Sequence, residues 1–212
     1  MKDGRRLAIA IAVAALLWFY MFSPWTKGLT NFWLTMSGAA VVLTSLALAF
    51  LPERSFKIER PLLQLAGGIA LAFALWGIFW IGDKASAWLF DFARPEVDSI
   101  YSMKSGLPVP AIAALLLLVI GPAEEFFWRG YVQRTFAGLF AGRKYPADLA
   151  FLATALIYAL VHIWSLNFML IMAALVAGCV WGFIYRLCPK ALPALVLSHA
   201  LWDALVFVLL PI

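Results

Sequence analysis

The stretch LPVPAIAALLLLVIGPAEEFFWR, residues Leu107–Arg129, decides how the chain is read. It opens with seventeen uncharged residues and then places Glu124, Glu125 and Arg129 within one continuous apolar run. About 20 such residues span the hydrocarbon of a bilayer. In lipid an unpaired backbone group has no partner, so the run must be a helix. Each ionisable side chain within it costs about 2.5–3.5 kcal/mol on insertion scales, so such groups are usually paired and usually functional.

Working outward, the rest of the chain has the same character. Of 212 residues 65% are hydrophobic and 13% charged, against about 45–50% and about 25% in soluble domains. Apolar segments recur at 7–22, 29–51, 62–81, 107–128, 149–164, 168–185 and 192–210. The expected fold is therefore all-α, a polytopic transmembrane bundle of about seven helices. It forms a single membrane domain over residues 1–212, in which 1–106 are generic apolar helices with one external loop and 107–212 carry the chemistry. The apolar run from Leu7 to Phe22 is longer than a signal-peptide core and lacks a small-residue cleavage site, so it reads as a retained helix. The loop Asp83–Gly106 is the longest polar stretch, and Ala85–Phe92 within it is expected to lie flat at the interface.

The net charge of +5 does not form a nucleic-acid patch, because the basic residues sit at the ends of apolar segments. With the N-terminus inside, twelve of the sixteen fall on inner segments: Lys2, Arg5, Arg6, Arg54, Lys57, Arg60, Arg129, Arg134, Arg143, Lys144, Arg186 and Lys190. Lys27, Lys84, Arg94 and Lys104 fall outside. That is the positive-inside pattern, with a cytoplasmic N-terminus. Cys179 and Cys188 do not suggest a disulfide framework.

Against this background the polar residues stand out. The chain has two histidines, His162 and His199, and both fall in apolar segments. Glu125 and Arg129 are four residues apart on one helix face and can pair. Glu124 is turned about 100° from Glu125, so the two adjacent carboxylates have different tasks. Pro122 removes a helical hydrogen bond to the Leu118 carbonyl and can loosen the helix at that level. His199 and Asp203 form another i,i+4 pair, as do Tyr158 and His162. Glu124 lies 17 residues before Ala141 and His162 lies 16 after Pro146, so antiparallel packing puts them at one depth. His199, nine residues beyond Lys190, matches that depth less well.

Three motifs carry a family resemblance. Glu124-Glu125-Phe126-Phe127-Trp128-Arg129 resembles the Glu-Glu-x-x-x-Arg motif of the CPBP family, which includes the type II CAAX prenyl endopeptidases and the Abi proteins. Tyr158-Ala159-Leu160-Val161-His162 resembles its aromatic-x-x-x-His motif, and His199-Ala200-Leu201-Trp202-Asp203 its His-x-x-x-Asn/Asp motif. The resemblance implies a glutamic-type intramembrane protease. Glu124 would activate water with the help of His162, while His199 and residue 203 would stabilise the oxyanion. Glu125 and Arg129 would support the site. Asp203 departs from the Asn often found there, and an ionised Asp cannot donate a hydrogen bond.

The implied substrate is a membrane-anchored protein or peptide, cleaved in the cytoplasmic half of a bacterial plasma membrane. No cofactor is expected. The rival within enzymes is a divalent metal such as zinc held by Glu124, His162 and His199, although no His-Glu-x-x-His helix is present. Outside that class stand a non-catalytic immunity or scaffold relative and an ion-coupled transporter. A transporter commonly shows inverted repeats, and the sequence contains none.

Overall fold

The computed structural model describes residues 2–51 and 58–212. Arg54 and Lys57, assigned above to an inner connection, lie outside the described residues. Seven helices are long and apolar enough to cross a membrane. They are α1 (Lys2–Phe22), α2 (Phe32–Phe50), α3 (Pro61–Leu89), α5 (Val109–Leu139), α6 (Pro146–Ser165), α7 (Phe168–Leu187) and α8 (Pro189–Leu209). A short helix, α4 (Ala93–Tyr101), lies between the third and fourth crossings. The described residues contain no strand.

The sequence sets these boundaries locally. Asn31 precedes α2, and its side chain accepts from the Trp33 and Leu34 amides, satisfying donors that a helix start leaves open. Asn167 does the same for Leu170 at the start of α7. Proline stands in the first turn of α3, α6 and α8, where its missing N–H costs nothing.

Two expectations need correction. Ala85–Phe92 is not a separate interfacial helix, because α3 continues to Leu89. Asp83 does not end the helix because its carboxylate is matched by Arg94 at 2.5 Å and Lys84 at 3.1 Å. At 1.5 Å per residue the 29 residues of α3 run to roughly 43 Å, beyond the roughly 30 Å of hydrocarbon. The short amphipathic helix is α4 instead. The second correction concerns Arg129, counted above with the inner basic residues. It is fully buried within the bundle, so the sequence count that favours a cytoplasmic N-terminus becomes eleven basic residues against four.

The connections rich in basic residues gather at one end. Arg6 stacks over the Phe50 ring, Arg186 pairs with Asp148 at 2.6 Å, and Lys190 pairs with Glu59 at 3.0 Å. At the opposite end α4 is tied across the bundle. Glu96 accepts from the Met169 amide at 2.8 Å, Asn167 donates to the Glu96 carbonyl, and the Tyr101 hydroxyl donates to the Val206 carbonyl.

Glycine permits the closest helix contacts. A Cβ on Gly121 would stand 2.6 Å from Ala200 Cα, so α5 and α8 touch backbone to backbone beside His199. A Cβ on Gly68 would meet the Ala194 carbonyl at 2.9 Å, which seats α3 on α8. Helices in lipid associate through van der Waals contact, and small residues make that contact close.

Candidate active site

The site is built around an irregular part of α5. The five residues Gly121–Glu125 keep α-helical form, but Leu116–Ile120 before them and Phe126–Gln133 after them are wound as wide π-turns. Pro122 offers no amide to the ladder here, and π-turns inside helices recur at functional sites. The loosening expected at Gly121-Pro122 therefore takes the form of wide turns on both sides of the two glutamates.

Glu124 faces a cavity of about 450 Å³, and His162, His199 and Asp203 line the same cavity. The depth argument held for Glu124 and His162, and α8 brings His199 to their level too. The remaining walls are mostly apolar, with Phe22, Trp33, Met36, Phe79 and Ala173 among them. The cavity extends toward the end that carries α4, reaching Phe90, Ile100, Tyr101 and Met103. That is the end opposite the clustered basic residues. His162 lies in the last turn of α6, near the α4 end.

The adjacent carboxylates have separate environments. Glu124 is held by a phenol: the Tyr158 hydroxyl donates to its Oε2 at 3.0 Å. Glu125 is fully buried and accepts from Arg129 Nη1 at 2.6 Å. Arg129 also donates to the Gly178 carbonyl at 3.1 Å and lies over the rings of Tyr158 and Trp181. Glu125 has a further partner that its spacing did not announce. His199 Nδ1 donates to the same Oε1 at 3.0 Å, so one carboxylate oxygen joins the guanidinium to the histidine.

The histidines are fixed in different ways. His162 Nδ1 donates to the Tyr158 carbonyl at 2.7 Å, and Nε2 accepts from the Trp18 indole at 3.0 Å. Both ring nitrogens are thus engaged, and Tyr158 links His162 to Glu124 by holding one with its carbonyl and the other with its hydroxyl. His199 is stacked on Trp181 with ring centroids 4.0 Å apart. Its Nε2 lies 3.6 Å from Asp203 Oδ2, too long for a hydrogen bond, so this nitrogen faces the cavity without a fixed partner.

Three contributors were missed as site residues. Trp18 comes from the generic N-terminal part, Trp181 was not singled out, and Tyr158 was read as the i,i+4 partner of His162 and the aromatic of a motif but not as a partner of Glu124. The Trp18, Trp181 and Tyr158–Glu124 contacts do not follow from helical periodicity, because each joins residues of different helices. The fallback metal ligands, Glu124, His162 and His199, do not form a cage. Among the described residues no three His, Cys, Asp or Glu side chains are placed to hold an ion, and His162 has no free ring nitrogen.

No curated protein and no solved structure matched the chain. The family model of type II CAAX prenyl endopeptidases, Rce1-like, matches residues 106–205. That span contains Glu124, Glu125, Arg129, Tyr158, His162, His199 and Asp203, the polar residues that the geometry has just brought together on helices fit to cross a membrane. The part of the chain that holds this site is thus similar to the Rce1-like type II CAAX prenyl endopeptidases, over just under half of the chain.

Proposed function

We propose that the chain hydrolyses a peptide bond of a membrane-anchored protein or peptide, with Glu124 as the base that activates water. The observation that carries this reading is the chemistry of one cavity. A carboxylate held by a phenol instead of a cation shares a mostly apolar cavity with two histidines and Asp203. Such a carboxylate is available to take a proton, and donors fixed in a space that excludes water stabilise developing charge strongly.

In this mechanism Glu124 removes a proton from water and the resulting hydroxide attacks the scissile carbonyl carbon. The carbonyl oxygen becomes the oxyanion and is stabilised by His199 and Asp203, which line the cavity beside Glu124. Collapse breaks the C–N bond, and Glu124 returns its proton to the departing amine. His162 acts as a positioning residue. Its ring is tied to Trp18 and to Tyr158, and through Tyr158 it sets the direction of Glu124. Glu125 and Arg129 hold His199 in place. Helices α1 to α3 belong to the same functional unit, since they supply Trp18 and much of the cavity wall.

The test is Glu124→Gln, which keeps shape but cannot accept the proton. Loss of a general base lowers the rate by about 100- to 10,000-fold, while thermal melting in detergent should stay normal or rise, because a buried charge has gone. Uncleaved substrate is sought by comparing membrane proteomes of a deletion strain and a Glu124→Gln strain. Full activity of Glu124→Gln would sink the mechanism.

A further inference from the structure

A second cavity, of about 260 Å³, lies at the basic end of the bundle, away from the candidate active site. It is walled by α1, α2 and α5. Phe50, Leu51 and Leu139 supply an apolar side, and Arg6 and Arg134 bring cationic side chains from two helices. Between them stands Tyr131. It is 2% exposed, and its hydroxyl is buried without a hydrogen-bond partner. That hydroxyl lies in the field of the Arg6 guanidinium and the Asp3 carboxylate. A buried polar group without a partner is uncommon in native structures and calls for an explanation.

Arg6 is only loosely engaged. Its Nη1 is 3.8 Å from Asp3 Oδ1, and its side chain remains 45% exposed. The guanidinium is steered by the Phe50 ring, whose centroid lies 5.7 Å away. A guanidinium beside an orphaned phenol, bordered by apolar side chains at a helix-bundle end, offers donors to phosphate oxygens and a surface to an acyl chain. Basic pockets between membrane helices on the inner side bind lipid headgroups for these reasons.

We propose that this cavity binds a phosphate-bearing ligand, with Arg6 and the Tyr131 hydroxyl donating to phosphate oxygens and Phe50 and Leu139 contacting its apolar part. Asp3 is the competing anion that loosely occupies Arg6 while the site is empty. An anionic phospholipid supplies both halves of this ligand, and free phosphate supplies only the first. The site is independent of the proteolytic reading, since none of its residues touches the cavity around Glu124.

The test uses the purified full chain in an uncharged detergent. Melting temperature is followed while phosphatidylglycerol, diacylglycerol with the same acyl chains, or inorganic phosphate is added. Phosphatidylglycerol should stabilise the wild type and diacylglycerol should not. Arg6→Gln should weaken the apparent affinity by about tenfold or more, because charge-assisted bonds to phosphate are the strong ones. Tyr131→Phe should weaken it less. Asp3→Asn should tighten it by removing the competitor. Each variant is referred to its own melting temperature without lipid, which separates binding from folding. Stabilisation by inorganic phosphate alone, lost in Arg6→Gln, would identify a soluble ligand for the same site. Equal stabilisation by phosphatidylglycerol and diacylglycerol, or a phosphatidylglycerol response unchanged in Arg6→Gln and Tyr131→Phe, would overturn the proposal.

Discussion

Removing Glu125 alone should harm the fold, and removing it together with Arg129 should harm it less. Glu125→Ala deletes the acceptor of two charge-assisted hydrogen bonds, at 2.6 Å to Arg129 and 3.0 Å to His199. It leaves a guanidinium with no exposure, held only by the Gly178 carbonyl and two ring faces. Breaking a buried ion pair in this way costs about 3–5 kcal/mol. For a chain of this size each kcal/mol lowers the melting temperature by about 2–4 °C, so a fall of roughly 6–20 °C is expected. Glu125→Leu combined with Arg129→Met replaces the pair by apolar side chains of similar volume, a change that is often near neutral. The double variant should therefore recover much of the lost stability while remaining inactive, since His199 has lost its Nδ1 partner. The assay is thermal melting in detergent of the single and double variants, with membrane yield as a second measure. If the double variant melts as low as Glu125→Ala, unpaired charge is not the source of the loss and the division of labour between Glu124 and Glu125 is wrong.

Further tests bear on other parts of the argument. Asp203→Asn asks what residue 203 does: activity retained or raised in substrate cleavage means that the side chain donates to the oxyanion, and a loss means that it orients His199. Gly121→Ala should lower both melting temperature and activity, because its methyl group would sit 2.6 Å from Ala200 Cα and force α5 and α8 apart beside His199; a normal, active protein would show that the close approach is unimportant. Reporter fusions after Lys144 should read cytoplasmic and fusions within α4 external, following the distribution of basic residues; the reverse result would turn the bundle over and put the candidate site near the cytoplasmic face.

The seven crossings were legible because lipid leaves a chain few choices, and unbroken apolar length is visible in one dimension. The Glu125–Arg129 pair was legible for a similar reason, since four residues on a helix fix a shared face even through the wide turns after Glu125. What could not be read were contacts made by residues far apart in the chain. Trp18 and His162 are 144 positions apart, and Glu125 and His199 are 74 apart. No periodicity within one helix says which helix lies beside it. The end of α3 was misread for a related reason. Asp83 signals a loop if it stands alone, and only the fold supplies Arg94, eleven positions later, as its counter-charge. Asp203 was legible as a departure from the motif, but its 3.6 Å separation from His199 belongs to the geometry of α8.

The indole of Trp18 holding His162 has a consequence for how such chains are compared and cut. The segment that identifies the family starts at residue 106, yet one of its two histidines is oriented from the first helix. The signature segment is therefore not a transplantable module. Expressed without α1, it would keep every residue of the three motifs while His162 lost the donor to its Nε2 and was held only from Nδ1 by the Tyr158 carbonyl. A relative recognised by those motifs alone has to be asked which side chain, on which helix, takes the place of Trp18.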